Sequence, residues 1–74
     1  MTETTFTLRT ETIELQQLLK ATGMVMSGGE ARTLITDGQA QVNGEVEIRR
    51  SKKLRPGDVV LVGDCRIVIV EVQT

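Results

Sequence analysis

The sequence predicts an α+β domain, and three observations carry that expectation. Residues 4–10 alternate apolar and polar side chains with a period of two, which suits a strand. Residues 15–19 and 27–37 instead place their leucines, isoleucine and alanine at helical spacing. From Ala40 onward, apolar β-rich runs are separated by Asn43-Gly44, Pro56-Gly57 and Gly63-Asp64. With 74 residues, the chain has room for one domain, residues 1–74, around one small core.

Taken in order, Phe6 and Leu8 share one face of the first strand and threonines occupy the other. Leu15, Leu18 and Leu19 form the buried side of a first helix, with Lys20 roughly opposite. Ile13 lies off that face, so it precedes the helix and can staple onto Leu18. Gly23 supplies the left-handed residue that ends the helix. Met24-Val25-Met26 reads as an apolar plug between helices, because methionine fills irregular space.

Ser27 and Glu30 have capping-box spacing and open the second helix, Ala31, Leu34 and Ile35 give its buried stripe, and Gly38 ends it. At 100° per residue, Gly28, Gly29, Arg32 and Thr36 share a flank that carries no acid. Glycine in a first turn disfavours the helix, and two readings explain it here. Bare backbone admits a phosphate to free amides at the positive end of the helix dipole, or it allows a tight turn or close helix packing.

Asn43-Gly44 is a strong hairpin signal. A two-residue loop pairs Val42 with Glu45 and sends Val46 to the opposite face. Keeping Ala40, Val42, Val46 and Ile48 together needs a longer loop or a bulge, and the hydrophobic pattern is expected to prevail. Leu54 anchors the next segment, and Pro56-Gly57 suits a type II turn. The runs 59–62 and 65–72 read as strands, the second pairing with the N-terminal strand.

Composition narrows the function. Phe6 is the sole aromatic residue, so recognition of single strands by base stacking lacks its platform. Without histidine and with only Cys65, the chain has no metal-ligand set, disulfide framework or common general base, and no cofactor is implied. Asp58 and Asp64 sit at turns, where local hydrogen bonding accounts for them. An enzyme is therefore disfavoured, and no catalytic residue is assigned. No apolar run approaches the roughly 18 residues of a membrane span. The polar N-terminus does not resemble a signal peptide, which points to the cytoplasm.

The net charge of −1 hides an uneven distribution. Residues 1–48 hold three basic and seven acidic side chains, and residues 49–74 hold six basic and three acidic. Arg49, Arg50, Lys52, Lys53 and Arg55 follow one another with no acid between them. Such a run is either a solvated loop or a contact for a polyanion, and its density favours nucleic acid.

The ordered set Leu15, Leu18-Leu19, Ser27, Glu30-Ala31-Arg32, Ile35, Asp37-Gly38, Val42-Asn43-Gly44-Glu45, Leu54 and Pro56-Gly57-Asp58 resembles a known family. That family is the RNA-binding domain first described in bacterial ribosomal small-subunit protein S-four, also called the alpha-L motif. The resemblance covers about residues 13–62 and is nearest to small stand-alone bacterial members. It implies two short helices packed on a small antiparallel β-sheet, with RNA held by the second helix and the loop after the Asn-Gly turn. Carried over by position, the RNA-binding residues are Ser27, Gly28, Gly29, Arg32, Asn43, Gly44 and Glu45, with Arg49, Arg50, Lys52 and Lys53 beside them. Gly28 departs from the arginine many members have there, which removes one expected phosphate contact, and Ala40 stands where a larger aliphatic residue is usual.

The sequence thus points to a non-catalytic protein that recognises structured RNA, ribosomal or transfer RNA, with the ribosomal subunit as a possible partner. The alternative is a ribosome-associated protein-interaction module whose basic loop docks on an acidic protein surface. DNA is also compatible with phosphate contacts.

Overall fold

The computed structural model describes residues 2–72. Seven strands and two helices follow in the order β1 (Thr2–Leu8), β2 (Ile13–Glu14), α1 (Leu15–Ala21), α2 (Gly28–Thr36), β3 (Ala40–Val42), β4 (Glu45–Val46), β5 (Lys53–Leu54), β6 (Val59–Val62) and β7 (Cys65–Glu71). Five strands form one sheet in the order β1-β7-β6-β3-β4, while β2 and β5 make a separate antiparallel pair. The α+β expectation holds, with one refinement. β1 pairs with β7 as expected but runs parallel to it, so the sheet is mixed. Alternation reports which face of a strand is buried and is silent on its direction.

The core lies between the helices and one sheet face. Leu15, Leu18 and Leu19 of α1 and Ala31 and Ile35 of α2 are fully buried, as are Val60 of β6 and Ile67 of β7. Leu54 is fully buried too, anchoring β5 as the sequence suggested. An isolated helix of seven residues is not stable in water. The start of α1 is therefore held from outside: Leu15 N donates to Lys52 O (2.9 Å) and Gln16 N to Arg50 O (3.1 Å). Gln17 Oε1 also accepts from Glu14 N at 3.0 Å.

Two local expectations are corrected. The hairpin takes the two-residue loop: Val42 pairs with Glu45 and Gln41 with Val46. Asn43 (φ 52°) and Gly44 (φ 87°) both adopt the left-handed region that such a turn demands. Val46 and Ile48 are consequently 58% and 60% exposed instead of joining Ala40 and Val42. The turn prevails because Asn43 is fastened on three sides. Its N–H donates to Val59 O (2.8 Å), its Oδ1 accepts from Val59 N (2.9 Å) and its Nδ2 donates to Asp58 Oδ1 (3.0 Å). A two-residue edge strand has too little apolar surface to oppose those bonds.

The apolar plug is also only partly formed. Val25 is buried and Met24 packs on the core, whereas Met26 is 86% exposed. Met26 directly precedes the α2 N-cap, whose extended backbone turns it away from the core. The Pro56-Gly57 turn closes as expected, with Gly57 at φ 100° and Asp58 N donating to Arg55 O at 3.0 Å.

Candidate nucleic-acid interface

The basic segment is a structured loop whose backbone is fixed at several points. Its carbonyls at Arg50 and Lys52 cap α1. Lys53 and Leu54 pair with Glu14 and Ile13, and Lys52 N donates back to Arg49 O at 3.3 Å. Using carbonyls for capping leaves the cationic side chains pointing outward. Arg50 and Lys53 are exposed and Lys52 is half-buried.

Arg49 differs from its neighbours. Its Nε donates to Glu47 Oε2 at 3.0 Å and its Nη2 to Glu47 Oε1 at 3.3 Å, a bidentate pair. Its backbone N–H also donates to Glu47 Oε2 at 3.0 Å. The Glu47 side chain is 14% exposed and that of Arg49 is 69% exposed. Hydrogen bonds from Arg49 hold the Glu47 carboxyl below its ordinary range, and Glu47 in turn holds the guanidinium above its own. The other ion pair among the described residues joins Arg66 and Glu3. Arg32, Arg50, Lys52 and Lys53 make none there.

Asn43, Glu45, Arg49 and Lys52 line one shallow cleft of about 350 Å³, together with Val42, Val46, Glu47 and Asp58. Four of the sequence-predicted residues thus converge. Asn43 serves in that cleft as a fastener, since its side chain is already bonded to Asp58 and Val59. Gly44 lies at the turn and opens onto the sheet face that the helices leave bare, beside Gln41, Val59, Leu61 and Arg66.

The helix residues stand apart from that cleft. Ser27 Oγ accepts from Glu30 N at 3.2 Å, capping α2. Ser27 and Gly29 line a different depression of about 490 Å³ with Met24, Glu30, Thr33 and Leu34. Gly29 therefore borders the acidic flank as well as the Arg32 flank. A Cβ built on Gly28 meets nothing within 4 Å, and one on Gly29 comes no nearer than 3.8 Å to Ser27 Oγ. Neither glycine has a positive φ. Tight turning and close packing are thus not what these glycines provide in this fold. What remains is uncovered backbone at the start of a helix, beside the exposed Arg32.

Sequence reasoning missed Glu47, the acid that engages Arg49. An acid two residues ahead of an arginine, just beyond the hairpin, was visible as a signal. It also missed that α1 caps itself on the basic loop, a contact between segments about 35 residues apart that no local pattern encodes.

Fold and surface together define a small helix-on-sheet domain that carries a fixed basic loop beside a tight hairpin. The chain belongs to the S4 domain family, whose model matches residues 6–70. It is 43% identical over 51 residues to the "Probable ribosome maturation protein RlbA" of Bacillus subtilis, a match spanning 69% of this chain and 72% of that one. It is 42% identical over 48 residues to the "Putative RNA-binding protein YbcJ" of Escherichia coli, spanning 65% and 69% of the two chains.

Proposed function

We infer that this protein is a non-catalytic RNA-binding module that recognises structured RNA, ribosomal or transfer RNA, through phosphate and shape contacts. The observation that carries this reading is the backbone anchoring of the basic loop. Because Arg50 and Lys52 carbonyls cap α1, their side chains project from a fixed frame, which lowers the ordering cost of engaging a folded polyanion. Arg50, Lys52 and Lys53 track adjacent phosphates. Arg32 and the amides of Gly28 and Gly29 hold a further one at the α2 N-terminus. The family membership and the printed names of both relatives support RNA as the ligand, and the name of the Bacillus protein favours ribosomal RNA.

Charge reversal tests the loop. The double variant Arg50→Glu/Lys52→Glu is expected to keep the wild-type circular dichroism spectrum, since its capping carbonyls are retained. It should bind structured ribosomal RNA fragments at least about tenfold more weakly at physiological salt. Unchanged binding would remove the loop from the interface.

A second reading is supported by Val46 and Ile48, two exposed apolar side chains beside the basic loop. They suit docking on a ribosomal protein. Ribosome co-sedimentation that survives nuclease digestion would favour that reading over direct RNA binding.

A further inference from the structure

The two edges of the five-stranded sheet are built differently. β4 ends one side with two residues and is followed by the paired Glu47 and Arg49. A short, charged edge discourages strand addition. β1 ends the other side with seven residues that pair with β7 in unbroken register, with no bulge, proline or lysine. Among the described residues no strand lies beyond it.

The free edge of β1 has a defined hydrogen-bonding set. Thr2 N donates to Asp64 O at 2.8 Å, and Leu8 O accepts from Val72 N at 3.2 Å. In a parallel pair, alternate residues turn their backbone groups toward the partner. The even-numbered residues of β1 therefore face β7, and Glu3, Thr5 and Thr7 present their N–H and C=O groups outward.

A second copy of the chain complements this edge. Antiparallel pairing of β1 with itself, centred on Phe6, sets Glu3 opposite Arg9 at both ends. It also sets Thr5 opposite Thr7, in the hydrogen-bonded positions that the outward groups require. Phe6 then faces Phe6 of the second copy in the closer, non-hydrogen-bonded position. Phe6 is the only aromatic residue of the chain and is only partly buried against the core. Glu3 is already bonded to Arg66 of its own chain at 2.9 Å, and registers centred on Thr5 or Thr7 set no second cation opposite it. Opposite-charge, threonine and aromatic cross-strand pairs are the favourable kinds.

We propose that the protein self-associates through β1 as a twofold dimer, joining two sheets into one of ten strands in the register Glu3–Arg9, Thr5–Thr7, Phe6–Phe6. The basic loops follow β4, so they lie toward the two outer ends of that sheet. The interface is isologous and closes on itself.

Sedimentation equilibrium of the full chain tests this with Glu3→Arg and Arg9→Glu, both at exposed positions. Each variant alone sets like charges opposite one another twice and is expected to weaken self-association about tenfold. An equimolar mixture of the two restores opposite charges at both ends and should recover dimer. In the wild type, amide hydrogen exchange at Thr5 and Thr7 should slow as concentration rises. A wild-type chain that remains monomeric at about 1 mM overturns the proposal. So does a dimer indifferent to both reversals, or a mixture that fails to recover association.

Discussion

At the scale of single residues, Glu47 competes for Arg49 with the phosphate that the loop is proposed to bind. Arg49 donates three hydrogen bonds to Glu47, two from its guanidinium and one from its backbone N–H. The pair steers the guanidinium, yet a phosphate taking Arg49 must displace a carboxylate. The Arg49 end of the pair lies open to water, which screens it, so that displacement is mild. Glu47→Gln is expected to raise RNA affinity by up to about fivefold, measured as Kd by fluorescence anisotropy at fixed salt. Acid has a related effect. Arg49 holds the Glu47 carboxyl below its ordinary range, so the pair is intact above the ordinary glutamate pKa and is lost as pH falls through the depressed value. Near neutral pH the wild type keeps Arg49 engaged, and lower affinity in Glu47→Gln would show that Glu47 orients Arg49 instead of competing for it.

At the scale of elements, the sequence revealed more about existence than about contacts. Both helices and the Pro56-Gly57 turn follow from period and punctuation in the chain, and the last strand pairs with the first as expected, though parallel to it. The hairpin register did not, because apolar pattern and turn chemistry pointed to different answers. The loop was decided by Asn43 bonds to Asp58 and Val59, which lie fifteen and sixteen positions away. The candidate site divides in the same way. Its basic residues were legible as a run, but their anchoring on α1 is tertiary, as is the distance between the α2 glycines and the cleft. The glycines give this scale its prediction. Space exists for a Cβ at both positions, and alanine favours a helix by up to about 1 kcal/mol over glycine. Gly28→Ala and Gly29→Ala should each leave the melting temperature unchanged or raise it. If their amides receive a phosphate, RNA affinity falls while stability does not. Variants that gain stability and keep full affinity would confine binding to the basic loop.

For the whole molecule, the distribution of charge outweighs its sum. A chain of net charge −1 has little long-range attraction for RNA, so binding must come from a local cluster. All ten acids lie outside the run Arg49–Arg55, while Glu47 remains beside it and neutralises one cation at short range. This leaves Arg50, Lys52, Lys53 and Arg32 without ion pairs among the described residues. Four phosphate contacts predict a log–log slope of affinity against salt of about −3 to −4, and recruitment of Arg49 as a fifth extends it to about −4.5. The same titration on Glu47→Gln should give the steeper value, because Arg49 then begins unpaired. Nucleic-acid partners can also be separated this way: shape recognition of folded RNA retains discrimination between structured and unstructured strands as salt rises, whereas attraction by charge alone loses it. A slope near zero with undiminished affinity would assign the surface to a protein partner.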